Sequence, residues 1–183
     1  MIKLKKNNEL YLEEPSINRK QEAQEYVEEF KKYNEKYSGI GKLKEIESKL
    51  TYEQYLEYLD NMKDEEYTKK HNDVPQTTYF LIRKTDNKII GITNLRHHLN
   101  EELLECGGHI GYGIRPSERG KGYGKIALSL TLKEAKKINL NEVRVDCLDS
   151  NKASVKIIEA TKGKKYKSII KNREKINLYI IKI

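Results

Sequence analysis

The most constraining feature of this chain is a glycine-rich, basic segment at residues 110–125, IGYGIRPSERGKGYGK. It begins with the alternation of a strand, is interrupted at Pro116, and passes glycines 120, 122 and 124 into an amphipathic pattern at 126–138. Such a turn presents backbone N–H groups and the positive end of a helix dipole to an anion. Glycine has no Cβ, so the backbone can approach that ligand closely. The segment therefore predicts a phosphate-binding site.

Two common phosphate-binding motifs do not fit this segment. A Walker A loop requires Gly-Lys-Ser/Thr five residues after a first glycine, but Gly124-Lys125 is followed by Ile126, and Arg119 stands where that first glycine is needed. A dinucleotide-binding turn requires Gly-x-Gly-x-x-Gly, and Lys125 occupies the third glycine position. Both motifs are excluded.

The turn instead resembles the signature of a known family. Residues 119–124, RGKGYG, resemble the Gln/Arg-x-x-Gly-x-Gly/Ala loop of GNAT-family N-acetyltransferases, and residues 111–116 resemble the strand before it. Residues 149–159, DSNKASVKIIE, resemble the segment in which an asparagine opens the helix after the fifth strand. Asn151 holds that position, and a plain helix N-cap is a second role that can coexist with cofactor contact.

The resemblance implies acetyl-CoA as co-substrate. In the family, the loop amides hold the cofactor's pyrophosphate and the preceding strand pairs with its pantetheine arm. The positions that the resemblance assigns to cofactor binding are Tyr112, Ile114, Arg119, Gly120, Lys121, Gly122, Tyr123, Gly124, Lys125, Asn151 and Ser154.

Composition indicates one domain over residues 1–183. Charged residues make up 35% of the chain and the mean hydropathy is −0.84. No apolar run approaches the ~20 residues of a membrane span, the N-terminus lacks the apolar centre of a signal peptide, and two cysteines make no disulfide framework. We therefore expect a cytoplasmic protein without a membrane partner.

Charge is unevenly distributed along the chain. Residues 1–75 carry 14 Lys/Arg and 17 Asp/Glu, a net −3, whereas residues 76–183 carry 22 and 11, a net +11. A basic half could bind nucleic acid, but aromatic–basic interleaving, zinc-ligand spacing and coiled-coil patterns are missing. Lysine as the default surface residue, together with attraction of the anionic cofactor, is the favoured interpretation.

Periodicity predicts the order of the elements. Apolar spacing predicts helices over about 19–33, 51–62, 126–138 and 151–158, with Thr51 and Gln54 as a capping box. Strands are predicted around 2–4 or 10–12, then at 77–82, 89–95, 109–115, 143–147, 166–170 and 176–183, with a turn at Asp86-Asn87. Residues 101–106 form a loop or short helix.

This order predicts an α/β fold. It consists of a mixed, mostly antiparallel sheet of about six to seven strands, flanked by about four helices. The resemblance implies a GNAT-like fold in which strands 109–115 and 143–147 splay apart around the cofactor arm.

Acetyl transfer to an amine requires a general base, and candidates for it lie on the strand before the loop. Several family members place a glutamate at the position of His109, and an imidazole titrates near neutrality. A hydrogen-bonded structural histidine is the alternative interpretation, and Glu105 is the next candidate base. Many members carry a tyrosine, where Ile158 stands here, that protonates the departing thiolate; Tyr166 or water could take that role.

The remaining polar residues leave alternatives open. Arg96, His97 and His98 follow a strand end and are expected to face the acceptor pocket; Arg96 could hold an acidic group of the substrate or be an exposed loop arginine. No third ligand at zinc spacing follows the histidine pair, so no metal is predicted. Cys106 and Cys147 could suggest an acyl-cysteine route, but no partner His/Asp pattern supports it.

The sequence thus predicts an acetyl-CoA-dependent enzyme that acetylates a primary amine of a small molecule or peptide by direct transfer in a ternary complex. The alternative is a non-catalytic acyl-CoA-binding or regulatory module, and a basic nucleic-acid-binding protein is less favoured. A homodimer is possible.

Overall fold

A computed structural model describes residues 9–33 and 41–183. The predicted strand at 2–4 lies outside these residues. The strands are β1 (Leu10–Glu13), β2 (Gln76–Arg83), β3 (Lys88–Arg96), β4 (Ile110–Ile114), β5 (Glu142–Leu148), β6 (Lys164–Lys171) and β7 (Glu174–Lys182). The α-helices are α1 (Lys20–Lys32), α2 (Tyr52–Asn61), α3 (Glu65–Lys70), α4 (Glu101–Glu105), α5 (Tyr123–Lys137) and α6 (Lys152–Ala160).

The strands form two antiparallel sheets. The first has the order β1-β2-β3-β4 and the second the order β5-β7-β6. The β2–β3 hairpin turns at Asn87, whose φ of 56° suits the small polar residue there, and the β6–β7 hairpin turns at Asn172 and Arg173. The predicted α/β fold with seven strands is confirmed.

The helices cover both faces of the first sheet. On one face, α1 and α2 bury Tyr26, Phe30 and Tyr55 against Phe80 and Ile92. On the other face, α5 packs on β3 and β4. The capping box that opens α2 is confirmed, because Thr51 accepts the Gln54 N–H while the Gln54 side chain accepts the Thr51 N–H.

Helix α3 departs from the predicted pattern. Helix α3 was not predicted, since six residues are too few to show an apolar period; Asp64 caps it by accepting the Tyr67 N–H. The described residues hold six α-helices, whereas about four flanking helices were expected. Tyr52, in the first turn of α2, is fully buried.

The two sheets meet at His109 and separate beyond it. The His109 N–H donates to the Arg144 carbonyl (2.7 Å), and the His109 carbonyl accepts the Arg96 N–H (2.8 Å). Strands β4 and β5 are not paired along their length. The predicted splay is therefore confirmed, and it creates a cleft between β4 and the start of α6. None of the helices at 9–33 or 41–183 is long and apolar enough to cross a membrane.

Candidate active site

A cleft of about 700 Å³ opens where the two sheets separate. Strand β4, the loop after it, the first turn of α5 and the first turns of α6 form its walls. Ten of the eleven predicted cofactor-binding residues line it: Tyr112, Ile114, Arg119, Gly120, Gly122, Tyr123, Gly124, Lys125, Asn151 and Ser154. Residues more than 25 positions apart in sequence are thus assembled around one space.

The glycine loop has the backbone that an anion-binding turn requires. Gly120 and Gly122 have φ angles of 75° and 85°, in the left-handed region that side chains disfavour. Gly122 is also the N-cap of α5, and no side chain caps the helix there. The first N–H groups of a 15-residue helix therefore face the cleft, which suits a phosphate.

Gly124 has a different role from the other two glycines. A Cβ at this position would lie 2.7 Å from Cδ1 of Ile157, so the missing side chain lets α5 and α6 pack closely. Gly124 also lines the cleft, so close packing of the two helices is a second role beside the predicted close approach of the ligand.

The carboxylate of Glu118 stabilises the glycine loop by ion pairs. Its buried carboxylate accepts hydrogen bonds from Arg83 Nη1 (2.9 Å) and from Lys121 Nζ (2.9 Å). Burial alone would raise the pKa of Glu118, but these two cations lower it overall. Lys121 is thus paired with the loop's own carboxylate and does not line the cleft, unlike the other predicted cofactor residues.

A second ion pair ties the loop to α1. The Glu29 carboxylate accepts Nε of buried Arg115 (2.6 Å) and the Ser117 N–H (2.8 Å). Burial would raise the pKa of Glu29, but the Ser117 and Arg115 hydrogen bonds lower it overall. Glu29 and Ser117 are 88 residues apart in the sequence, so no periodic pattern predicts this contact.

The start of α6 supplies the opposite wall of the cleft. The Asn151 side chain accepts the Ser154 N–H (3.1 Å), so Asn151 is an N-cap and also lines the cleft. The Ser154 hydroxyl lies 3.0 Å from the Tyr112 hydroxyl across the cleft. Burial raises the pKa of Tyr112 to about 12, so this phenol keeps its proton at neutral pH.

The position of the family tyrosine faces away from the cleft. Ile158 is fully buried in the core, whereas its neighbour Ile157 lines the cleft. Tyr166, the predicted substitute, is 44% exposed on β6 and borders a separate small depression with Arg144 and Leu178. Tyr112 is the tyrosine hydroxyl hydrogen-bonded across the cleft, a role that its strand position alone did not reveal.

The ring of His109 is hydrogen-bonded where the two sheets meet. Its ring Nδ1 accepts the Arg144 N–H (3.0 Å) and its side chain is buried. Burial, followed by the nearby Arg144 and Arg96 charges, lowers its pKa to about 4. Glu105 is exposed at the end of α4, and neither residue lines the cleft or the second cavity described next. Their proposed roles as bases remain predictions.

A second cavity, of about 170 Å³, lies on the other face of β4 and is called the acceptor cavity below. Gly111 borders it, whereas Tyr112 and Gly113 border the cleft, so the two spaces adjoin along one strand. Gly113 borders the cleft although it shares a face of β4 with Gly111, so the lining does not strictly follow the alternation of faces along a strand. Its lining consists of Gly41, Lys42, Tyr55, Tyr58, Leu59, Met62, Gln76, Thr78, Ile92, Asn94, Arg96 and Gly111.

The three polar residues predicted to face the acceptor separate in the structure. Arg96 lines the cavity and is not an exposed loop residue, because it ends β3 with its side chain half-buried. His97 lies beside Thr77, with Nε2 2.9 Å from the hydroxyl, and burial lowers its pKa. His98 is exposed beside Glu65. Neither histidine lines the acceptor cavity.

Both cysteines keep their protons at neutral pH. Burial raises the pKa of Cys106 to about 11, helped by its hydrogen bond to Asp146 (3.3 Å), and burial raises the pKa of Cys147 to about 11 as well. A thiol attacks only as its thiolate. Within residues 9–33 and 41–183, no group of three or more His, Cys, Asp or Glu side chains could hold a metal ion.

Comparison with known families identifies the domain. Residues 19–163 match the model of the acetyltransferase (GNAT) domain. The chain belongs to the GNAT acetyltransferase family. A comparison with curated proteins gives no match.

Solved structures share the fold of this GNAT protein. RimJ from Mycobacterium smegmatis, in complex with a CoA disulfide, is 12% identical with a TM-score of 0.69, over 94% of this chain and 81% of that one. The microcin C7 self-immunity acetyltransferase MccE, in complex with acetyl-CoA and AMP, is 18% identical with a TM-score of 0.66, over 96% and 93%. The Vibrio fischeri ribosomal-protein-S5-alanine acetyltransferase is 18% identical with a TM-score of 0.64, over 94% and 91%.

Proposed function

We propose that this protein is an acetyl-CoA-dependent N-acetyltransferase that acetylates a primary amine by direct transfer in a ternary complex. The observation that carries the proposal is the pair of adjoining spaces on β4. The cleft has an uncapped helix N-terminus and left-handed glycines at one end, and the acceptor cavity begins one residue away at Gly111. Two substrates can therefore meet across a single strand.

The bond changes follow from these positions. The amine nitrogen attacks the thioester carbonyl carbon, a C–N bond forms, the C–S bond breaks, and the proton lost by the amine ends on the CoA sulfur. A CoA thiol has a pKa near the ~8.5 of cysteine, so its thiolate is a fair leaving group. Tyr112 borders the cleft and Tyr166 does not, which supports Tyr112 as the residue that donates a hydrogen bond to the departing sulfur. The high pKa of both cysteines favours direct transfer over an acyl-cysteine intermediate.

An amine screen tests this function. The protein is incubated with acetyl-CoA and a panel of primary amines, free thiol is measured, and the acetylated amine is identified by mass. We expect amine-dependent thiol release with one acetylated product per thiol. CoA binding without any acetylated product from the panel would overturn the proposal and favour an acyl-CoA-binding module. Tight, salt-sensitive binding to DNA or RNA that CoA does not displace would favour a nucleic-acid-binding protein.

A further inference from the structure

The acceptor cavity carries positive charge that its own lining does not neutralise. Its cations are Arg96 and Lys42, and none of the lining residues within 9–33 and 41–183 is Asp or Glu. Lys42 lies over the Tyr58 ring, with Nζ 4.3 Å from the ring centroid. Helix α2, although part of the acidic half of the chain, lines the cavity only with Tyr55, Tyr58 and Leu59, and its C-cap Met62 also borders it.

Arg96 is incompletely hydrogen-bonded within this cavity. Its Nη1 donates to the carbonyls of Gly108 (2.9 Å) and Gly107 (3.3 Å), which fixes the guanidinium in place. Its Nε is buried without a hydrogen-bond partner. A buried donor left unpaired destabilises the folded protein, so an acceptor atom placed beside Arg96 would be favourable.

The unpaired side of the guanidinium has the right shape for a carboxylate. Nη1 donates to backbone carbonyls, whereas Nε has no hydrogen-bond partner among the described residues, and the five guanidinium donors are arranged as forks that match two carboxylate oxygens. No described carboxylate forms an ion pair with Arg96; Asp73 and Asp146 act on it only through space.

The register of β3 and β4 places Arg96 close to Gly111, where the cleft and the acceptor cavity adjoin. Asn94 pairs with Gly111 across β3 and β4, and Arg96 follows two residues later on the same face of β3. Two residues along a strand span about 7 Å. An amine at Gly111 and an anion at Arg96 can thus belong to one small molecule, which also suits a cavity of about 170 Å³.

We propose that the acceptor is a small amino-carboxylate whose carboxylate binds Arg96 while its amine faces Gly111. This inference rests on the proposed acetyltransferase function. Polyamines and other polycations are disfavoured, because the lining would add repulsion and offer no carboxylate to hold a second ammonium group.

Matched acceptors test the proposal. The proteinogenic amino acids, β-alanine and γ-aminobutyrate are each compared with the corresponding amide and the decarboxylated amine, and kcat/KM is measured with saturating acetyl-CoA. We expect at least one carboxylate acceptor to exceed its amide by about tenfold or more, the scale of one charge-assisted contact. Equal use of acid and amide, or preference for a peptide N-terminus or a polyamine, would overturn the inference while leaving the acetyltransferase function standing.

Variants of Arg96 assign the preference to this residue. Arg96→Gln should raise KM for the carboxylate acceptor about tenfold or more with a small change for the amide, and Arg96→Lys should retain part of the preference. Arg173→Gln, the same change in the exposed β6–β7 turn, is the control. CoA binding and melting temperature verify that each variant is folded. An equal loss on acid and amide would contradict a carboxylate contact, and absence of turnover with every amine would overturn both this inference and the proposed function.

Discussion

His109 connects the two sheets through three hydrogen bonds. Two involve its backbone N–H and carbonyl, and its ring Nδ1 accepts the third. Burial, followed by the positive charges of Arg144 and Arg96, lowers the pKa of His109 from 6.5 to about 4. A group with a lowered folded pKa binds fewer protons folded than unfolded. Its contribution to stability is therefore complete above about pH 6.5 and is lost as the pH falls toward 4.

The variant His109→Asn separates the structural role from the catalytic one. The Asn amide oxygen can replace Nδ1 as acceptor but does not titrate, so we expect its unfolding free energy to fall less steeply than that of the wild type between pH 6.5 and 4. Denaturant unfolding at a series of pH values measures this. We also expect the pH–rate profile near neutrality to be unchanged in the variant; loss of a limb near pH 6.5 would restore His109 as general base.

Gly122 meets two requirements at one position: it leaves space for the cofactor, and it adopts a left-handed backbone conformation. Gly122→Val places a side chain in the cleft and imposes a left-handed φ on a β-branched residue, which costs about 1–3 kcal/mol. We expect CoA affinity, measured by calorimetry, to fall at least tenfold. Gly41→Val is the matched control, since Gly41 also has positive φ and open space but borders the acceptor cavity. Equal affinities of wild type and Gly122→Val would refute the loop assignment.

At the scale of elements, helix α1 fixes the loop that precedes the cofactor turn. Glu29→Gln removes the charge opposite buried Arg115 and weakens one of two hydrogen bonds, so we expect a loss of about 1–3 kcal/mol in stability. CoA affinity should fall as well, because residues 115–119 lead directly into the glycine turn. Thermal unfolding and calorimetric CoA titration measure both effects.

A control on the same helix makes this prediction specific. Glu28→Gln changes the same charge at an exposed position of α1, and we expect neither stability nor CoA affinity to change beyond a few tenths of a kcal/mol. If Glu28→Gln and Glu29→Gln weaken CoA binding alike, the effect is one of helix charge and not of the Arg115 contact.

How far the sequence could predict these elements depends on the range of the interactions involved. The capping box at Thr51, the cleft residue Asn151 and the strand–turn–helix at 110–137 are local patterns, and all are found in the structure. Glu29 on Arg115 and Arg83 on Glu118 join distant segments, so no period in the sequence marks them. Arg96 was noted, but its burial depends on α2 packing over it.

At the scale of the whole molecule, the order of the strands and of the longer helices was recoverable because each of these elements keeps its own apolar period. The division into two sheets was implied only by the family resemblance, since it depends on where β4 and β5 stop pairing. The backbone hydrogen bond from His109 to the Arg144 carbonyl marks the place where the two sheets meet before they separate. The site is thus best predicted where it is local, at the cofactor turn, and least where it depends on packing, at the acceptor cavity.

The cluster of cations around the cleft has a kinetic consequence. Arg119, Lys125 and Lys156 border the opening, in the half of the chain that carries a net +11. An anion with several phosphates is drawn toward such a surface over about 10 Å at 0.1 M salt. We expect the association rate constant of CoA, measured by stopped flow, to fall as salt is added while its dissociation rate changes little. Pantetheine, which carries no phosphate, should have an association rate constant that does not depend on salt. An equal salt dependence of the association rate constants of CoA and pantetheine would contradict attraction of the CoA phosphates.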